Sequence, residues 1–226
     1  MTPPFLRSCS PARRRLGITA TVIAAFTGAL LAVGDPAAAD QPALPINALA
    51  PQITATAEAA VVAYDVFDAS DDLADYLVYA ERRTATARLA ARELGSDEWE
   101  MIEAWKSTPL DHQRAVLAAM TQVGVPYRTN ASEEGEGFDC SGLTLFAWNE
   151  SGVELNRVSG DQIAAAAELD GDEAKAGDLA YWPGHVMMYL GTGDAVVHAR
   201  NTGRTVELET ISARRADRMR FGDPTE

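Results

Sequence analysis

The stretch "GFDCSGL" at residues 137–143 sets Cys140 between an aspartate and a serine, with Gly137 and Gly142 close by. The residues after it, "TLFAWNESG", have helical character up to Gly152, so Cys140 is expected in the first turn of a helix. Unpaired backbone N–H groups and the helix dipole at that place stabilise a thiolate. The two glycines are expected to let the chain turn sharply and to leave room for a substrate. An inert, buried cysteine is the plain alternative.

Cys140 stands out because the chain is expected to be exported. "LRSCSPARRR" gives a basic start, "LGITATVIAAFTGALLAVG" is an apolar run without charge, and "DPAAAD" offers Ala37 and Ala39 for an A-x-A cleavage. That is the layout of a signal peptide over residues 1–39; the competing reading is an uncleaved membrane anchor. Cys9 precedes the apolar run and would be removed, leaving one thiol in an oxidising compartment. Cleavage also removes Arg7, Arg13, Arg14, Arg15 and Asp35. The 19 basic residues less four, and the 33 acidic less one, leave 15 against 32, a balance of −17. Such a surface repels nucleic acid and anionic lipid, so neither is expected as a partner. Stable membrane insertion is not expected after cleavage, and the expected state is a monomer.

Residues 40–51, "DQPALPINALAP" and its neighbours, read as a mobile linker. Residues 52–107 read as a helical segment. "TATAEAAVVAYDVFD" and "DDLADYLVYAERRTATARLAAREL" form two helices, the second with Leu73, Tyr76, Leu77 and Ala80 at helical spacing and Gly95 as its stop. "SDEWEMIEAWK" adds a short helix capped by Ser96, with Trp99 and Ile102 on one side. This segment is either a spacer and packing support or a plug over a cleft.

From residue 109 to 226 the pattern is that of an α+β domain. An amphipathic helix over "PLDHQRAVLAAMTQVG" leads to the loop "VPYRTNASEEGEG", the Cys140 helix, and a further helix over "SGDQIAAAAEL". Four strand-like runs follow, "DLAYWP", "HVMMYLG", "DAVVHAR" and "RTVELET", separated by turns containing glycine.

A cysteine nucleophile needs a base, and the chain has three histidines: His112, His185 and His198. The last two fall on neighbouring strands. If "GTGD" makes a four-residue turn, or Gly191 and Thr192 a two-residue one, the hairpin register puts His185 and His198 on one face. One imidazole can then act as base while the other orients it. The same residues carry no C-x-x-C, H-E-x-x-H or carboxylate–histidine metal pattern, so no metal and no cofactor is expected.

Over roughly residues 113–212 the sequence resembles the NlpC-type family of bacterial cell-wall cysteine peptidases, which have a compact papain-like fold. The resemblance rests on "GVPY", "FDCSGL", "LNRVSGDQ" where the family has L-P-R-x-S-x-x-Q, "AGDLAYW" for P-G-D-L plus aromatics, and "HVMMYLG" followed by "VVHA". It implies an α+β, papain-like domain, with N-terminal helices packed on a small antiparallel sheet and preceded by the helical segment. It implies Cys140 as nucleophile, His185 as general base and acid, His198 as the orienting residue, and Tyr127 beside the oxyanion. Asp139, Ser141 and Ser159 are implied to help hold the peptide, although Asp139 and Ser141 can equally cap their helix and Ser159 the next.

The sequence departs from the family in four places. "TNA" replaces a glycine pair after Tyr127, Asn156 and Ala176 replace prolines, and the turn before His198 is one residue longer. The implied function is that of a secreted or wall-associated endopeptidase cutting peptidoglycan stem peptides, typically between D-glutamate, through its γ-carboxyl, and the diamino acid. The alternatives are a non-catalytic wall-binding or scaffold protein on the same fold, and a related cysteine amidase or acyltransferase.

Overall fold

The computed structural model describes residues 47–216 and 218–226; the expected signal peptide, Cys9 and linker residues 40–46 lie outside the described residues. Elements are numbered in chain order. Helix α1 (Ala50–Ser70) has Pro51 in its first turn, where a missing N–H costs nothing, and ends at Asp71 in left-handed conformation. Asp72 caps α2 (Leu73–Leu94) by accepting the Ala74 N–H at 2.6 Å, and Gly95 closes it. Helix α3 (Glu98–Ser107) is capped by Asp97, one residue beyond the expected Ser96, through the Glu100 N–H at 2.9 Å. Helices α4 (Leu110–Thr121), α5 (Cys140–Asn149) and α6 (Ser159–Ala165) follow, with a small ribbon of β1 (Ser132–Glu133) and β2 (Gly137–Phe138) before α5.

The rest is sheet. Strands β3 (Ala167–Leu169), β4 (Leu179–Trp182), β5 (His185–Tyr189), β6 (Ala195–Ala199), β7 (Val206–Thr210) and β8 (Arg220–Asp223) form one antiparallel sheet in the order β3-β8-β4-β5-β6-β7, with the short helix α7 (Ala213–Ala216) before β8. The α+β reading holds, and the four expected strands are β4 to β7. Residues 167–169 were expected to continue a helix. They pair with β8 instead, because an open strand edge outweighs the weak helical preference of an alanine run.

One hydrophobic core joins the helices to the sheet, with Ile53 and Ala57 of α1, Met101 and Trp105 of α3, Leu117, Leu143, Trp148 and Val197 all buried in it. Trp105 also donates its indole N–H to the Leu190 carbonyl at 3.0 Å. The helical segment thus packs into the same core as the domain that follows it. Residues 47–51, expected within the linker, are tied down as well. The Asn47 amide bonds the Leu208 backbone in both directions (2.8 and 3.1 Å), pairing along the free edge of β7, while the Ala48 and Leu49 N–H groups donate to Glu93.

The buried face of α2 differs from the expected one. Leu73 and Leu77 are 71% and 59% exposed, and the stripe that packs runs through Tyr79, Arg83, Ala87, Ala90 and Ala91. Small alanines let α1 and α2 approach closely. Gln113 Oε1 accepts from the two polar members, the Tyr79 hydroxyl at 2.7 Å and Arg83 at 2.6 Å. In α3 the buried residues are Met101 and Trp105, whereas Trp99 is exposed.

His112 of α4 fastens the sheet to the helices. Its Nε2 lies 3.1 Å from Asp178 and 3.3 Å from Asp223, and its Nδ1 2.9 Å from Asp111. Gly177, at φ 102°, lets the turn before Asp178 lie against the helix, since a Cβ there would come within 2.9 Å of the His112 Cβ. Burial opposes charge on His112, but hydrogen bonds to Asp178 and Asp111 and the charge of Asp223 outweigh it and raise its pKa. A raised folded-state pKa gives stability that is complete below about pH 6.5 and is lost as pH rises through the folded value. The thermal midpoint should therefore fall with pH above about 6.5, and this slope should vanish in His112→Gln. His112→Ala, which strands two buried carboxylates, should cost about 3–5 kcal/mol in denaturant unfolding.

Candidate active site

Helix α5 opens at Cys140, and Asp139 sets that opening. Its Oδ1 accepts the Gly142 N–H at 2.7 Å as the cap, and its Oδ2 accepts the Asn130 N–H at 2.8 Å. Arg157 donates to both carboxylate oxygens, at 3.0 and 2.7 Å, and to the Ser141 hydroxyl at 2.9 Å. Gln162 of α6 donates to the Ser141 and Asn156 carbonyls and accepts the Thr144 hydroxyl, which locks α6 against the start of α5. Asp139 and Ser141 are thus buried and engaged with Arg157. Ser159 is the first residue of α6, not its cap, a place taken by Val158. Arg157 was not singled out from the sequence, although it lies inside the quoted "LNRVSGDQ".

The glycines at the site act by closeness and not by turning. A Cβ on Gly142 would lie 2.0 Å from the Ala131 carbonyl oxygen, and one on Gly137 would strike the Arg128 side chain; neither glycine has a positive φ. The left-handed residue is Asn130, at φ 61°, within the "TNA" that replaces the family's glycines. Asparagine tolerates that conformation better than most residues, so the loop keeps its bend.

Cys140 is a free thiol, partly exposed. Tyr127 sits on an extended segment bridging β2 and residue 204, its N–H donating to the Arg204 carbonyl at 2.8 Å. Burial, then the neighbouring Cys140 and Asp139, push its phenol above the ordinary value, so the hydroxyl stays a donor.

The hairpin register pairs Met188 with Val197, and Leu190 and Ala195 close the four-residue turn. His185 and His198 therefore share a face, and His185 Nε2 lies 2.8 Å from His198 Nδ1. Their neighbours along that face are Met187 and Val196, whereas Val186, Met188 and Val197 belong to the core that α5 enters. Helix α5 packs on β5 and β6.

Behind His198, Glu209 Oε2 stands 3.1 Å from its Nε2, in an approach too bent to count as a hydrogen bond. A carboxylate that close still favours the tautomer whose N–H faces it. His198 Nδ1 then accepts from His185 Nε2–H, which leaves His185 Nδ1 unprotonated. The same ring of His198 holds the Glu209 carboxyl below its usual range against the effect of burial, helped by Arg200 and Arg215. Burial, then His198, with further contributions from Arg200 and Arg215, lowers the pKa of His185 to about 3. A neutral His185 ring has one nitrogen free to accept a proton.

Among the described residues, two clusters have the composition of metal sites: His112, Asp178 and Asp223, and His198, Glu207 and Glu209. In the first, both ring nitrogens face carboxylates, as in a buried imidazolium. In the second, Arg204 forks onto Glu207 at 2.7–3.1 Å and Arg200 lies 3.1 Å from Glu209, so arginines occupy the carboxylates. Both arrangements fit ion pairing better than metal binding.

Residues 124–221 match the model of the NlpC/P60 family. That stretch is an NlpC/P60 domain. A probable endopeptidase of Corynebacterium glutamicum is 39% identical over 102 residues, 44% of this chain and 48% of its own length. The peptidoglycan endopeptidase RipB of Mycobacterium tuberculosis is 35% identical over 105 residues, 39% of this chain and 44% of its own. A gamma-D-glutamyl-L-lysine dipeptidyl-peptidase of Bacillus subtilis is 32% identical over 119 residues, 47% of this chain and 40% of its own. The chain thus spans less than half the length of each of these relatives. The NlpC/P60 domain holds Tyr127, Cys140, His185 and His198, whereas His112 lies before it.

Histidine ring NMR checks the electrostatics without a substrate. The His185 ring should show no inflection between about pH 5 and 8, and His112 should titrate above about 6.5. In Glu209→Gln the nitrogen shifts of His185 should report a mixture of tautomers. Because His185 is lowered, its effect on stability is the reverse of that of His112: stability should fall as pH drops from about 6.5 toward about 3.

Proposed function

We propose that this is an exported cysteine peptidase, acting as a monomer outside the cytoplasm, whose residues 109–226 hydrolyse peptide bonds in peptidoglycan stems. The bond is the one joining D-glutamate, through its γ-carboxyl, to the diamino acid. The observation that carries this reading is the pairing of a capped helix start at Cys140 with the His185–His198 contact of 2.8 Å in an NlpC/P60 domain. His185 belongs to the alternate side of β5 from the residues under α5 and is the first residue of that strand, and the proposal requires its free Nδ1 to meet the thiol around the strand's end.

In the proposed cycle the Cys140 thiol gives its proton to His185 Nδ1 as the sulfur attacks the substrate carbonyl. The oxyanion is met by the Cys140 backbone N–H and the Tyr127 hydroxyl. His185 then protonates the departing amine, leaving a thioester, and accepts a proton from the water that hydrolyses it. His198 and Glu209 hold His185 in the correct tautomer throughout, and no step calls for a metal.

The rival reading, a wall-binding protein without turnover, rests on the altered loop after Tyr127. Asn130 and its bond to Asp139 hold that loop to the helix start, which favours the catalytic reading.

Incubating the mature protein with purified muropeptides and identifying new termini by mass spectrometry tests the proposal. Cys140→Ser should abolish cleavage with little change in thermal midpoint. His185→Ala should lose about 10³-fold or more in kcat, and His198→Asn, which can still accept a hydrogen bond, about tenfold. Full activity in Cys140→Ser would sink the assignment.

A further inference from the structure

Arg83 of α2 is only 3% exposed, yet among the described residues no carboxylate stands within ion-pairing distance of it. Its one hydrogen bond among them runs from Nη1 to Gln113 Oε1 at 2.6 Å, and its guanidinium lies over the Tyr79 ring, 5.5 Å from the centre. Neither neighbour supplies a negative charge. Gln113 is neutral, and burial pushes the Tyr79 phenol up, so its hydroxyl keeps its proton and donates to the same Gln113 oxygen at 2.7 Å. The other buried arginine, Arg114, has Asp65 and Glu150 against it. A guanidinium taken out of water is costly without an opposite charge beside it, and for Arg83 the described residues provide none.

Arg83 lines an open pocket of about 500 Å³ formed by the outer face of α2 and the end of α3. Tyr76, Ala80 and Ala85 give the pocket apolar walls, and Arg88 and Lys106 stand at its rim. Those two cations are already matched, Arg88 by Glu98 at 3.3 Å and Lys106 by Glu103 at 3.1 Å. Glu81 also lines the pocket, but it is exposed, and residues two apart on a helix do not face each other, so it is no partner for Arg83. The uncompensated charge of the pocket is therefore the Arg83 guanidinium. On a chain of net charge −14 the setting is locally basic, since residues 82–92 hold four arginines and no acid. None of the lining residues falls within 124–221, so the pocket belongs to the helical segment and not to the Cys140 site.

We propose that this pocket binds the carboxylate at the end of a peptide chain with small side chains, an inference that does not depend on the peptidase reading. Charge selects the class of ligand. One uncompensated cation matches a monoanion, and a dianion such as a phosphate monoester would also meet Glu81. Shape narrows it further, because Nη1 is turned to Gln113 and the Nε–Nη2 edge remains, onto which a planar carboxylate forks. At 3% exposure only a group that ends in its anion reaches this edge, whereas a phosphodiester inside a polymer is substituted on both sides of its phosphorus. Methyl-sized side chains next to the carboxylate then lie against Ala80, Ala85 and the Tyr76 ring. A peptide end held there leaves the Cys140 cleft free.

NMR titration of the Cys140→Ser protein tests this without any bond being cut. The probes are N-acetyl-Ala-Ala with a free carboxylate, the same dipeptide as its C-terminal amide, acetate, and inorganic phosphate. The Arg83 Nε–H and Thr84 backbone N–H resonances should shift saturably with the dipeptide acid and stay in place with the amide. Acetate should reach the same guanidinium with about tenfold weaker affinity, because it buries less apolar surface. Arg83→Gln, which keeps a donor for Gln113, should abolish the Thr84 response. Arg88→Gln, an exposed change that leaves the core intact, should weaken the acid by about threefold and so tests the site even if Arg83→Gln fails to fold. Equal shifts with acid and amide, or none with either, would overturn the site. Acetate binding as tightly as the dipeptide acid would overturn the peptide part, and phosphate acting at lower concentration than the acid would overturn the carboxylate.

Discussion

One carboxylate determines where the thiol sits. Asp139 caps α5 through the Gly142 N–H, fixes the loop before it through the Asn130 N–H, and takes both nitrogens of the Arg157 fork. Each bond fixes a different piece of chain relative to Cys140: its helix, the loop carrying Tyr127, and the segment that leads into α6. Gly142 belongs to the same constraint, because only a residue without a Cβ lets the Ala131 carbonyl lie against the first turn. A charge-assisted cap of this kind also puts a negative group at the positive end of the helix, which the dipole favours.

The histidine side is built on a different principle, in which a chain of contacts selects one proton arrangement. Arg200 and Arg204 neutralise Glu207 and Glu209, and Glu209 faces His198, which in turn faces His185. Burial and the neighbouring His198 thereby keep His185 neutral.

Much of this was readable in the sequence because its signals are local. The helix start at Cys140 follows from "FDCSGL", and the shared face of His185 and His198 follows from strand alternation and the length of "GTGD". The α2 face was misread because the large residues Leu73 and Leu77 define the visible period while the packed stripe consists of alanines with Tyr79 and Arg83. Strand β3 was missed because it exists only where β8 offers an edge. Arg157 and Glu209 escaped notice for a similar reason: their roles come from partners distant in sequence, and no spacing rule marks them. Asn47 reaching Leu208 across the whole domain is the extreme case.

The central claim is that the Cys140 sulfur and the free nitrogen of His185 face each other across a gap that a substrate carbonyl can enter. A short bifunctional alkylator such as 1,3-dibromoacetone measures this: it reacts first with the thiol and then with a nucleophile within about 5 Å of it. Peptide mapping by mass spectrometry should find a single three-carbon bridge joining Cys140 to His185, lost in His185→Ala. A Cys140 adduct that ends in water or joins another side chain, with His185 unmodified, would contradict the account.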